Sequence, residues 1–67
     1  MVNNMQYDES VLLSEYAAEL ERRGYYFEAS AEWFRAARVS SSKENKAWCI
    51  SRYEFCRRKM TLEYGGQ

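Results

Sequence analysis

Apolar positions along this chain recur at helical spacing, and no stretch shows the alternation of a strand. Leu13, Tyr16, Ala17 and Leu20 stand at i, i+3, i+4 and i+7, one face of a helix. Asp8 or Ser10 is placed to cap it. Acids crowd its start (Asp8, Glu9 and Glu15) and Arg22 and Arg23 close it, each charge complementing the helix dipole. The pattern predicts a first helix over about 10–23, with Gly24 as the left-handed residue beyond its end. A second helix is predicted over about 26–38. Its Ala29, Trp33, Ala36 and Ala37 form one apolar face, and Phe27, Ala31 and Phe34 form a neighbouring one. Two such faces on a short helix mean that it is sandwiched.

The run Ser40-Ser41-Ser42 breaks the second helix, and Ser41 with Glu44 has the spacing of a capping box. The third helix is therefore expected to be the longest, from about 42 to 63, ended by Gly65-Gly66. Trp48, Cys49, Tyr53, Phe55, Cys56 and Met60 lie on its broad apolar stripe. Arg52 and Lys59 fall within the stripe's range, while Ile50 and Arg57 point the other way. No proline interrupts any of these segments. The fold class is all-α: a helical hairpin plus a longer third helix in one domain over 8–64, with polar tails at 1–7 and 65–67.

Size sets the energetic frame. A chain of 67 residues buries only about 60% of the surface it exposes when unfolded, so its stability is expected to be marginal and raised by anything that binds the folded form. Six Tyr, three Phe and two Trp suffice for one core and leave apolar surface over. The formal net charge is zero, yet residues 1–32 carry seven acids against two bases and residues 33–67 carry eight bases against three acids. A neutral chain lacks the field that drives nonspecific DNA binding. The −5 and +5 halves instead permit internal pairing, or head-to-tail contact with a second copy in a homodimer.

No run approaches a bilayer-spanning length, and Met1 is not followed by a basic-then-apolar signal, so the chain reads as cytoplasmic. Cys49 and Cys56 lie seven residues apart on one helical face, roughly 10 Å along the axis, too far for an internal disulfide. With no His and no third Cys, no metal site is expected; the two thiols read as small buried hydrophobes. The same lack removes the usual general base. Glu19, Glu28 and Glu32 have solvent-facing spacing, and only Arg52 and Arg57 flank the thiols, so neither an enzyme nor a cofactor is expected.

The most informative segment is Ala17-x-x-Leu20-x-x-x-Gly24-x-Tyr26-x-x-Ala29-x-x-x-Trp33-x-x-Ala36. Physically it is a helix-turn-helix hairpin in which Gly24 turns, Tyr26 wedges, Ala29 and Ala36 allow close approach and Trp33 fills the groove. It resembles the tetratricopeptide hairpin in its spacing, with Leu13, Tyr16 and Ala17 near the first helix's signature positions. Only one such unit is present, and the proline usual after the second helix is missing, so the third helix would cap it. The longer pattern Leu20-Glu21-x-x-Gly24-x-Tyr26-x-Glu28-Ala29, then Trp33-x-x-Ala36, then Trp48 and Arg52-Tyr53-Glu54-Phe55-Cys56, resembles the AraC-negative-regulator (ANR) family of small bacterial proteins, over roughly residues 13 to 60. It is similar, more distantly, to the PerC-type regulators of enteric bacteria. The resemblance implies binding to an AraC/XylS-type transcription activator, with loss of its dimerisation or DNA binding. Composition and periodicity alone indicate a helical binding module.

Leu13, Leu20, Tyr26, Ala29, Trp33, Ala36, Trp48, Phe55 and Cys56 are the expected core. Tyr25, Phe27, Phe34, Ile50, Tyr53 and Arg57 are the expected partner contacts, on the second and third helices, by helix-in-groove packing. Arg57-Arg58-Lys59 with Arg52 is the best DNA candidate. Direct recognition of bases would want polar residues where the third helix offers Ile50, Tyr53 and Phe55, so DNA comes second to a protein. A PerC-like DNA-binding activator, a self-associating module and a nucleoid-associated protein as partner stay open as alternatives.

Overall fold

The computed structural model describes residues 9–62. Three helices account for them: α1 (Glu9–Arg22), α2 (Tyr26–Val39) and α3 (Lys43–Met60), joined by short turns. Asp8, Glu63, Gly65, Gly66 and the two expected tails lie outside the described residues. The architecture is the all-α hairpin plus third helix expected from the apolar spacing. The third helix is shorter than expected, and the chain winds on through Thr61 and Leu62 in a wider π turn.

Gly24 ends α1 as its sequence position requires. Its φ is +83°, and it is the positive-φ glycine of the described chain. The Tyr25 N–H donates to the Leu20 carbonyl at 2.9 Å and the Gly24 N–H to the Glu21 carbonyl at 3.0 Å, the paired bonds of a Schellman end. An added Cβ at Gly24 would meet nothing within 4 Å, so only the backbone conformation resists substitution. Gly24→Ala is expected to cost about 1 kcal/mol and to lower the thermal midpoint by about 4–8 °C, without changing the circular dichroism of the folded state. An unchanged midpoint would show that the turn carries no such strain.

The third helix is capped by Ser42, not Ser41. The Ser42 hydroxyl accepts from the Asn45 N–H at 3.0 Å and donates to the Glu44 carboxylate at 3.2 Å. Asn45 then joins three segments, its side-chain amide donating to Ser10 Oγ on α1 at 3.0 Å and to Ser40 Oγ, just past α2, at 2.9 Å.

The middle helix is sandwiched. It runs antiparallel to both neighbours, packing α1 on one side and α3 on the other. Its buried residues, Ala29, Ser30, Trp33, Ala36 and Ala37, are small except for Trp33, so the helices approach closely and one indole fills the space between them. Ala17, Cys49 and Cys56 complete the buried centre. The Phe27–Ala31–Phe34 face, expected to take part in the sandwich, is left open: all three residues are exposed.

The parallel pair α1 and α3 meets along a seam of small and polar residues in constant register. Ser10 pairs with Asn45, Ser14 Oγ lies 3.5 Å from Cys49 Sγ, and Cys56 Sγ donates to Glu21 at 3.7 Å. Each of these pairs is 35 residues apart. Displacing one helix by this interval onto the next is the geometry of a helical repeat, whose tetratricopeptide period is about 34 residues. α3 thus sits where the first helix of a following unit would.

Several expected core positions move outward. Trp48 is half exposed at 50% and belongs to the rim, packing edge-on against Trp33 with ring centroids 4.9 Å apart at 84°. It lies one residue off the Asn45–Cys49–Cys56 line that faces the hairpin, and a ring so large is covered there on one edge only. Leu13, Leu20, Tyr26 and Phe55 are partly buried and pack against the centre without lying in it. Tyr16, placed by its spacing on the apolar face of α1, is exposed at 55%, and α1 buries Ser10, Ser14 and Ala17 in its stead.

Candidate functional site

Two features stand out, and they lie on different parts of the molecule. One is a polar hub between the helices; the other is an exposed aromatic face.

The hub is centred on Glu21, near the end of α1. Its carboxylate accepts from Trp33 Nε1 of α2 at 3.0 Å, from the Arg52 guanidinium of α3 in an ion pair, and from the Cys56 thiol. All three helices are therefore fastened to one side chain. Arg52 lies in turn over the Phe55 ring at 4.4 Å, and the Lys59 ammonium over Tyr26 at 5.6 Å. Of the basic group considered for DNA, Arg52 and Lys59 are thus engaged within the fold. Arg57 turns to Tyr53, and Arg58 is exposed. The expected pairing of an acidic first helix with a basic third helix occurs here, as Glu21 with Arg52. At the α1 terminus Glu19 binds Arg22 and Arg23, and its carboxyl is held below the ordinary value chiefly by the Arg22 hydrogen bond and then the Arg23 one.

The hub has a measurable electrostatic signature. Burial, then the Glu21 charge and its hydrogen bond, push the Cys56 thiol from 9.0 up to about 11, against a smaller opposing pull from Arg52. Between those values the unfolded chain has lost the thiol proton while the folded one keeps it. The unfolded state then binds fewer protons, and stability falls as pH rises through the window. Urea midpoints at pH 8 and at pH 10.5 are expected to converge more closely in Cys56→Ala than in the parent protein. Equal slopes in both would place the alkaline loss elsewhere.

Both cysteines are free, buried thiols. Among the described residues, no group of His, Cys, Asp or Glu is arranged to hold a metal ion, and no helix is long and apolar enough to cross a membrane.

The exposed face gathers most of the expected partner contacts. Phe34 of α2 packs against Tyr53 of α3, ring centroids 5.1 Å apart. Arg57 lies over Tyr53 at 5.7 Å and donates to its hydroxyl at 3.4 Å. Phe27 stands two turns before Phe34 on the same stripe, at 64% exposure against 42% for Phe34. Ile50 lies one turn before Tyr53; both are partly buried and packed against the core, which makes them the floor of this face and corrects the expectation that Ile50 points away from the apolar stripe of the third helix. Tyr25 is exposed at the α1–α2 turn, and no ring contact or hydrogen bond of its side chain joins it to the Phe34–Tyr53–Arg57 cluster. Sequence reasoning missed Glu21 as a functional group of the fold. The available signal was its place beside Leu20 in the longer pattern that also holds Trp33, Arg52 and Cys56.

Comparison with known proteins gives one relative. The chain is 41% identical over 54 residues, covering 81% of its length and 73% of the relative's, to an uncharacterized protein in the Mu-like prophage FluMu region of Haemophilus influenzae. No family profile matches the chain, and no solved structure matches it significantly.

Proposed function

This chain belongs to the family of the uncharacterized protein in the Mu-like prophage FluMu region of Haemophilus influenzae, and we propose that it is a negative regulator of transcription acting by protein contact. The relative is described only by its place in a prophage region, so the reading rests on residues. The observation that carries it is the open aromatic face formed by Phe27, Phe34, Tyr53 and Arg57 across two packed helices. Aromatic and arginine side chains on rigid elements are what dominate protein interfaces, and a face wide enough for two helical stripes suits a helix laid in the groove between them.

The ANR-like pattern adds the partner class. Of its residues, Glu21, Gly24, Ala29, Trp33, Ala36, Arg52 and Cys56 serve the hub, the turn or the packed centre in this fold, and Leu20, Tyr26, Tyr53 and Phe55 pack against that centre, while Glu28, Trp48 and Glu54 are exposed. That these pattern residues carry structural roles here supports the activity that the resemblance implies: the domain binds an AraC/XylS-type activator and prevents its dimerisation. An activator reduced to single-site contact loses the effective concentration that paired half-sites provide, and with it occupancy of the promoter.

Pull-down of a purified AraC-type activator and, separately, of its promoter DNA tests the reading. Capture of the activator alone is expected, with Phe34→Ser and Arg57→Glu each weakening it about tenfold or more while the helical signal and melting midpoint stay near the parent values. Capture of DNA alone would replace this reading with a directly DNA-binding regulator.

A further inference from the structure

The open face has a composition as specific as its shape. On α2, Phe27, Ala31, Phe34 and Arg38 follow one another at steps of four, three and four residues; on α3, Lys46, Ile50, Tyr53 and Arg57 do the same. The helices are antiparallel, and the Phe34–Tyr53 contact ties the stripes together at their centre. Apolar side chains fill the middle of both. Arg38 and Lys46 stand towards one end and Arg57 towards the other, all three exposed. Neither stripe carries a carboxylate; Glu28 and Glu54 lie on adjoining rows. The face is thus apolar along its floor and cationic at its margins, within a chain of zero net charge.

Its place in the fold says what shape it takes. α1 and α3 are related by the constant 35-residue register of the seam, so the three helices read as one repeat hairpin and the first helix of another. In such a stack the next helix packs against the last first-helix and the preceding second-helix. Here those are α3 and α2, and the groove between them is this face. Among the described residues no helix covers it.

We infer that the element it accepts is an acidic amphipathic helix of the partner, docked in the position of a fourth helix of the stack. The apolar side of that helix lies on Phe27, Phe34 and Tyr53, and its flanking carboxylates meet Arg38, Lys46 and Arg57. The inference rests on the protein-binding reading above and adds to it the charge and the secondary structure of the partner's element. Opposite charges at an interface margin set partner choice and encounter rate more than raw affinity, so the discriminating observable is preference between helices of opposite flank charge.

The test uses the intact protein and two labelled helical peptides of about 16 residues, side-chain bridged because isolated helices this short are marginal in water. Both present the same leucine stripe; one has glutamates on its flanks and the other lysines. Fluorescence anisotropy at moderate salt is expected to show the glutamate peptide binding about tenfold or more tightly than the lysine peptide, with the difference shrinking as salt rises. Phe34→Ser is expected to weaken both. The double variant K46E/R57E, at exposed positions where folding is undisturbed, is expected to reverse the preference. Absence of binding by either peptide, equal binding of both, or a preference that survives the charge reversal would overturn the inference. So would sedimentation showing self-association that Phe34→Ser abolishes, since the face would then belong to a second copy, whose α1 exposes Leu12 and Tyr16 among Glu9, Glu15 and Glu19. The two proposals fail separately. Capture of an AraC-type activator without charge preference among the peptides removes only this inference, and charge preference without capture removes only the activator as partner.

Discussion

Trp33→Ala is expected to leave the protein largely unfolded at room temperature. Trp33 is 1% exposed and the largest fully buried side chain, and the residues around it (Ala29, Ala36, Ala37, Cys49, Cys56) are too small to close over the space its indole would vacate. Truncating a buried aromatic costs about 3–5 kcal/mol. A core in a domain of this size seldom provides more than about 3–5 kcal/mol in total, so the loss matches the whole margin of stability. Two further contacts go with the ring: the indole N–H that satisfies Glu21, and the edge-on packing of Trp48. The measurement is circular dichroism with a urea titration. A cooperative transition with a midpoint near that of the parent would remove Trp33 from the core. Trp33→Phe separates the two contributions, since it keeps most of the volume and loses the hydrogen bond.

How far the sequence disclosed this arrangement depends on which interaction placed each residue. Where burial of apolar surface decides, the spacing was sufficient. The three helices, the hairpin turned at Gly24 and the buried Ala29, Trp33, Ala36 and Cys56 all follow from which positions are apolar at helical intervals. The α1–α3 seam does not follow, because it is polar. Ser10 and Ser14 are buried there and Tyr16 is not, a reversal of what hydrophobicity assigns. The parallel register requires side chains polar enough to be satisfied across the seam by Asn45 and Cys49. A pattern of apolar positions does not carry that requirement. Trp48 was misassigned for a related reason: periodicity reports direction within a broad arc, and a ring at the arc's edge is covered on one side only. The hub was invisible as a pairwise object in sequence, since Glu21, Trp33, Arg52 and Cys56 are brought together only by the packing of three helices.

The same hub lies behind the open aromatic face. α2 and α3 supply the two stripes of the open aromatic face, and behind it Glu21 holds Trp33 of the one and Arg52 and Cys56 of the other. A change there is expected to alter the groove without touching the exposed residues of that face.

Glu21→Ala is accordingly expected to have the second largest effect on stability, about 2–4 kcal/mol. The carboxylate lies at 15% side-chain exposure and serves three donors. Its removal leaves the Trp33 N–H without an acceptor, at about 1–3 kcal/mol for a buried donor, and leaves the Arg52 guanidinium without its counter-charge. The penalty on Arg52 is discounted because its side chain is one-third exposed and water reaches it in part. Glu21→Gln separates hydrogen bonding from charge. The amide oxygen still accepts from Trp33 while the ion pair is lost, so about half of the cost should return. In either variant the Cys56 thiol is expected to titrate below its value of about 11, because the Glu21 charge and hydrogen bond are among the causes that raise it. Thermal melts of the two variants, with thiol titration followed by ultraviolet absorbance, give both readouts. If Glu21→Ala melts with the parent, the three helices are held by packing alone and the hub is an ornament of the fold; if it melts early and Glu21→Gln recovers in part, one carboxylate helps to set the geometry of the open aromatic face.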